Sequence, residues 1–106
     1  MNEKAKVYFT NFRANPKMNL LQKLKKLIIE AGMTEIDFEN KFTAIKIHFG
    51  EPGNIAYLRP NFSRVVVELI KEQGGRPFLT DCNTLYVGRR KNALDHLDAA
   101  YENGFS

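Results

Sequence analysis

The sequence predicts an α/β fold in three layers: a small parallel sheet made from three successive strand-then-helix units, βαβαβα. Three observations carry that reading. Runs rich in β-branched and aromatic residues open at Lys6, Phe42 and Pro77, about 35 residues apart, the size of a strand, a helix and two loops. Helical apolar periodicity follows each run. Each helical stretch closes on Glu-x-Gly, at Gly32, Gly74 and Gly104, with glycine where a left-handed C-terminal cap is wanted.

The strand-like runs cover residues 6–10, 42–49 and 77–80. Leu20, Leu24, Leu27, Ile28 and Ala31 form the first helical stripe. Phe62, Val65, Val66, Leu69 and Ile70 form the second, and Ala93, Leu97, Ala100 and Tyr101 the third. Asn19 is placed to cap the first helix, with Gln22 three residues on to reach back, and Pro60 or Asn61 opens the second. The helices are expected at about 19–31, 60–73 and 89–103. Strands alternating with helices of this length imply right-handed crossovers and a parallel sheet.

With 106 residues and 43% hydrophobic content the chain fits one domain, which at this size hides roughly 65% of its unfolded surface. It ends at Phe105-Ser106, where a fourth strand would begin, and so reads as the N-terminal part of a longer α/β protein, or as a protomer whose open edge needs a partner. No stretch approaches the ~20 apolar residues of a membrane span, and residues 1–6 lack the apolar run of a secretory signal. One cysteine, Cys82, allows no internal disulfide. A reducing, cytoplasmic setting and no membrane partner are the expectation. The net charge of +4 is local: residues 1–30 hold seven Lys/Arg and two Asp/Glu. Such a footprint suits nucleic acid, but Lys23, Lys25 and Lys26 fall on the polar side of a helix and are not interleaved with aromatics, so a solvated face is the expectation.

In open parallel sheets ligands bind beyond the carboxyl ends of the strands, which predicts that residues 11–18, 50–59 and 81–88 gather at one edge. Gly50-Glu51-Pro52-Gly53-Asn54, followed by Arg59 at the start of a helix, reads either as an anion cradle or as a wide turn. Asp81, Asn83, Thr84 and Tyr86, with Arg89 and Arg90 opening the third helix, suggest a phosphate or carboxylate site, or else surface charges around a loop cap. Alternation puts Phe42, Ala44, Lys46 and His48 on one face of the middle strand. Lys46 must be paired, have its pKa lowered, or reach the strand end, and His48 reads as acid, base or ligand, or as a hydrogen-bonded structural histidine. Lys46, His48 and Asp81 are the candidate catalytic residues. Cys82 is expected to be an inert buried thiol, and His96 a surface or packing residue. No spacing suggests a metal site.

The blocks from Ile45 to Asn54, Tyr57-Leu58-Arg59-Pro60, Leu79 to Tyr86, Asn92 to Leu97 and Glu102-Asn103-Gly104-Phe105 resemble the amino-terminal part of the iron–sulfur-centre proteins of the domain-of-unknown-function family DUF362. The resemblance implies an α/β region followed by a ferredoxin-like segment whose cysteines hold 4Fe-4S clusters, a segment that these residues do not include; no cofactor is expected within the chain itself. It matches Lys46, His48, Gly50, Glu51, Asn54, Arg59, Asp81, Asn83, Thr84 and Tyr86 to the family pattern. The leading expectation is an α/β module binding a small anion or metabolite within an iron–sulfur redox protein. The alternatives are a docking or homo-oligomerisation module and, behind it, nucleic-acid binding.

Overall fold

A computed structural model describes residues 3–105. Its elements are α1 (Leu20–Glu30), a short 3-10 turn (Met33–Glu35), β1 (Phe42–Lys46), α2 (Pro60–Glu72), β2 (Arg76–Thr80) and α3 (Ala93–Glu102). The capping box at the start of α1 forms as the sequence predicts. Asn19 Oδ1 accepts the Gln22 N–H and Gln22 Oε1 accepts the Asn19 N–H, both at 2.8 Å. Pro60 occupies the first turn of α2, where its missing N–H is harmless. Gly32, Gly74 and Gly104 all take positive φ, between 80° and 101°, and end their helices.

β1 and β2 pair in parallel, with Phe42 opposite Arg76 and Lys46 opposite Thr80, and the ladder runs one bond further from Ile47 N–H to Thr80 O at 3.0 Å. Thr43, Ile45, Pro77 and Leu79 face the helices, while Phe42, Ala44, Lys46, Arg76 and Phe78 face outward. The core is small: Phe38, Leu69, Ile70, Ala99 and Ala100. Gly75 fits beneath it, because a Cβ there would lie 2.5 Å from Ile70 Cγ2 and 3.0 Å from Phe38 Cβ.

Three expectations are corrected. The sheet has two strands among the described residues, not three, because residues 6–10 join no ladder. The chain beyond them is instead fixed to α1: Lys23 Nζ donates to Asn11 O, Asn11 Oδ1 and Arg13 O at 2.7–2.9 Å. Three oxygens around one ammonium hold the following loop in place without a strand partner, and Val7 and Phe9 stay 89% and 86% exposed. Second, the layering is helix on sheet on one side only, since the alternating burial along β1 leaves its other face open. Third, α3 begins at Ala93 rather than Arg89. Asn92 Oδ1 accepts the Asp95 N–H at 2.9 Å and caps the helix there, so Arg89 and Arg90 belong to the preceding turn.

Ile70 is 1% exposed. Ile70→Ala is expected to cost about 2–5 kcal/mol in a denaturant titration, by lost transfer and a residual cavity. Phe42→Ala, at an open-face position 73% exposed, is expected to stay within about 0.5 kcal/mol.

Candidate functional site

Parallel pairing puts the carboxyl ends of β1 and β2 side by side, so the loops that leave them meet. Lys46 Nζ, at the end of β1, lies 3.4 Å from Asp81 Oδ1, the first residue past β2. The two side chains differ sharply in environment, with Lys46 68% exposed and Asp81 6%. Asp81 Oδ1 also accepts the Cys82 N–H at 2.8 Å. Its burial opposes ionisation, but the Cys82 N–H and the Lys46 ammonium outweigh that, and the carboxyl is held below the usual Asp range.

Arg90 ties the two loops together. Its side chain is 6% exposed; Nε donates to Glu51 Oε2 at 2.7 Å and Nη2 to the Tyr86 hydroxyl at 2.7 Å. The Tyr86 O–H in turn donates to Glu51 Oε2 at 3.2 Å, closing a triangle between the loop after β1 and the loop after β2. Nη1 reaches toward Asp81 Oδ2 at 3.7 Å. The Arg90 guanidinium, first of all, holds Glu51 below the ordinary Glu range. Thr84 locks the same turn, its N–H donating to Arg90 O and its hydroxyl to Tyr86 O.

Gly50 is required at the base of the first loop. It has φ +90°, and a Cβ there would lie 2.7 Å from Asn103 Nδ2 and 2.8 Å from Tyr57 Cδ1. That close approach lets Asn103 Nδ2 donate to Phe49 O at 3.0 Å, joining the end of α3 to the end of β1. The next residues form a turn, with Pro52 and Gly53 at its centre and Asn54 N–H returning to Glu51 O at 2.9 Å. Gly50 N–H donates to His48 Nδ1 at 2.9 Å, and Asn54 Oδ1 accepts the Ala56 N–H. The N–H groups of Gly50 and Asn54 are therefore engaged within the chain, and His48 carries its ring proton on Nε2 when neutral.

These loops enclose a cleft of 540 Å³ whose lining includes His48, Glu51, Asn54, Tyr57, Tyr86 and Arg90. Lys46 immediately precedes Ile47 and His48, which line it, and Arg59 follows Leu58, which lines it too. Arg59 is exposed, at the N-cap of α2. Arg89 is turned elsewhere: its two terminal nitrogens bind the Glu102 carboxylate at 2.5 and 2.7 Å, a bidentate pair. Asn83 lies on the other side of Asp81, its Oδ1 3.0 Å from His96 Nδ1.

His96 is the residue that sequence reasoning undervalued. It is 6% exposed, its Nε2 lies 3.5 Å from Asp81 Oδ2, and the Phe49 ring meets it edge-on at 5.8 Å. The available signal was periodicity, since His96, Ala99 and Ala100 share one face of α3. Cys82 departs from expectation in the opposite direction, being exposed. Asp81 Oδ1 accepts the Cys82 N–H, which pins the backbone and leaves the thiol outside.

Residues 43–106, more than half of the chain, match the family profile described as domain of unknown function, DUF362. The chain belongs to that family. Every residue of the two loops that form the cleft falls within the matched span, while α1 and the segment before it lie outside. No curated protein and no solved structure matches the chain. Among the described residues no helix is long and apolar enough to cross a membrane, and no group of three or more His, Cys, Asp or Glu is arranged to hold a metal ion.

The depressed Asp81 carboxyl sets a pH dependence. A carboxylate whose folded pKa lies below its unfolded value adds stability above the unfolded pKa and loses it as pH falls through the folded one. Wild type is expected to lose stability progressively below about pH 4. Asp81→Asn, compared by chemical denaturation at a series of pH values, is expected to be less stable near neutrality and to show a flatter acid limb.

Proposed function

We propose that this chain is the ligand-binding α/β module of a larger DUF362 protein, and that it takes a small anionic metabolite in the cleft at the carboxyl ends of β1 and β2. One observation carries the reading. The two strand-to-helix loops are locked to each other by an ion-pair network built on the buried Arg90 guanidinium, so the cleft they form is preorganised, and Lys46 and Arg59 beside it keep exposed cationic heads.

The roles divide by environment. Lys46 is a point charge anchored at one oxygen of a buried carboxylate, which limits its motion and leaves its outer N–H groups for an incoming anion. Arg59 supplies a second cation beside the opening of α2, where the helix dipole also favours negative charge. His48 offers Nε2 as a donor to the same ligand, or as a proton carrier in a reaction on it. Arg90 and Glu51 neutralise each other and act as a brace. Asp81 positions Lys46.

The redox setting is proposed from the resemblance of the loop blocks to iron–sulfur-centre members of the family. The residues described do not fit a 4Fe-4S cluster, which takes four thiolates where this chain has one cysteine.

Thermal shift with inorganic phosphate and a panel of di- and tricarboxylates tests the reading. At least one anion is expected to raise the midpoint of wild type, with affinity falling about tenfold or more in Lys46→Ala and again in Lys46→Ala/Arg59→Ala. Equal shifts in wild type and the double variant would remove the cleft as the anion site.

A further inference from the structure

The bare face of the sheet carries a separate inference. Parallel strands are found with both faces covered, yet here Phe42 and Phe78 stand 73% and 48% exposed on the side away from the helices, with Ala44 between them. The accessible surface is 8348 Å², whereas a compact monomer of 12.2 kDa exposes about 6,100 Å². That excess is shared among several exposed apolar residues, Val7, Phe9, Ile55 and Leu85 among them, and the sheet face adds Phe42 and Phe78 to it. The radius of gyration agrees, at 16.1 Å against about 13 Å for a compact chain of this length.

Charge decides what sort of partner fits. The Arg76 guanidinium lies 4.5 Å from the Phe42 ring centroid and has no carboxylate in ion-pair range among the described residues. Arg76 stands at one end of the apolar strip, and Lys46, four residues along β1, stands at the other. Two copies stacked face to face would set these cations against each other, a repulsive arrangement. A carboxylate-bearing partner gains where a second copy loses.

We propose that the Phe42–Ala44–Phe78 face docks an amphipathic α-helix of a partner surface, with apolar residues at i, i+3 or i+4, and i+7 on the sheet and a carboxylate beside Arg76. Geometry fits this occupant. Five strand residues extend about 16 Å, and about 11 helical residues extend the same distance. Such a helix supplies the missing third layer. The proposal is independent of the anion cleft, which lies at the strand ends.

The test is a selection from a displayed library of 18-residue helical peptides, with the purified full chain as target. Enriched sequences are expected to carry the apolar stripe with Asp or Glu at one end. Their affinity should fall about tenfold or more in Phe78→Asp and in Arg76→Glu, remain unchanged in Arg59→Ala, and shift toward Lys-ended peptides in Arg76→Glu. Both positions tested are exposed, and circular dichroism verifies that the variants fold. Enrichment of peptides indifferent to Phe78→Asp, or no enrichment at all, overturns the proposal. So does reversible dimerisation in sedimentation equilibrium that Phe78→Asp abolishes, since that assigns the face to a second copy.

Discussion

A guanidinium sealed from water must find acceptors, and the fold of this chain around its strand ends follows from how Arg90 finds them. Its Nε binds Glu51 and one Nη binds Tyr86, so one side chain spans the loops that leave β1 and β2. Neither loop has regular structure to hold it. Without that brace, the turn at 51–54 and the residues from Asp81 to Asn92 would share little beyond the two-stranded ladder. With it, they form two walls of one cleft. The position is self-consistent, because Glu51 is itself held ionised by Arg90 and Tyr86 satisfies both.

Lys46 and Asp81 extend the same logic by one step. The carboxylate is buried because the backbone of Cys82 and the Lys46 ammonium make its charge tolerable, and the ammonium remains at the surface because its stem reaches the strand end. Removing a charge from the interior of such a site leaves its partner uncompensated, which is why the site depends on all four groups together. Gly50 serves a parallel purpose on the far side, where Asn103 crosses from α3 to the Phe49 carbonyl through space that a side chain would fill.

Local chemistry made much of this legible. Asn19 and Gln22 capped α1 as their spacing required, Gly32, Gly74 and Gly104 took left-handed φ, and the parallel sense of β1 and β2 followed from the intervening helix. The outward alternation of Phe42, Ala44 and Lys46 was also readable. What was not legible depended on distant partners. Residues 6–10 have strand composition, but a strand is defined by its neighbour, and Lys23 binds the following loop instead. Arg89 and Arg90 look alike in sequence, yet one pairs with Glu102 at the surface and the other is buried against Glu51, contacts that span 13 and 39 residues. His96 gave only a helical period, with nothing to announce Asp81 or Asn83 around it. The proposed anion-binding role of the cleft and the proposed helix-binding role of the open face both start from this division: charges paired internally build the site, and the exposed cations, Arg59 and Arg76 together with the outer side of Lys46, motivate the two proposals.

The central claim is that the Glu51–Arg90 pair couples the two loops. A double-mutant cycle on Glu51→Gln and Arg90→Gln, read as unfolding free energy at neutral pH, tests it most directly. The account predicts a favourable coupling that departs from additivity, accompanied by matched NMR shift changes at His48 and Tyr86 in either single variant. Additive effects within about 0.3 kcal/mol, with shifts confined to the mutated loop, would contradict it.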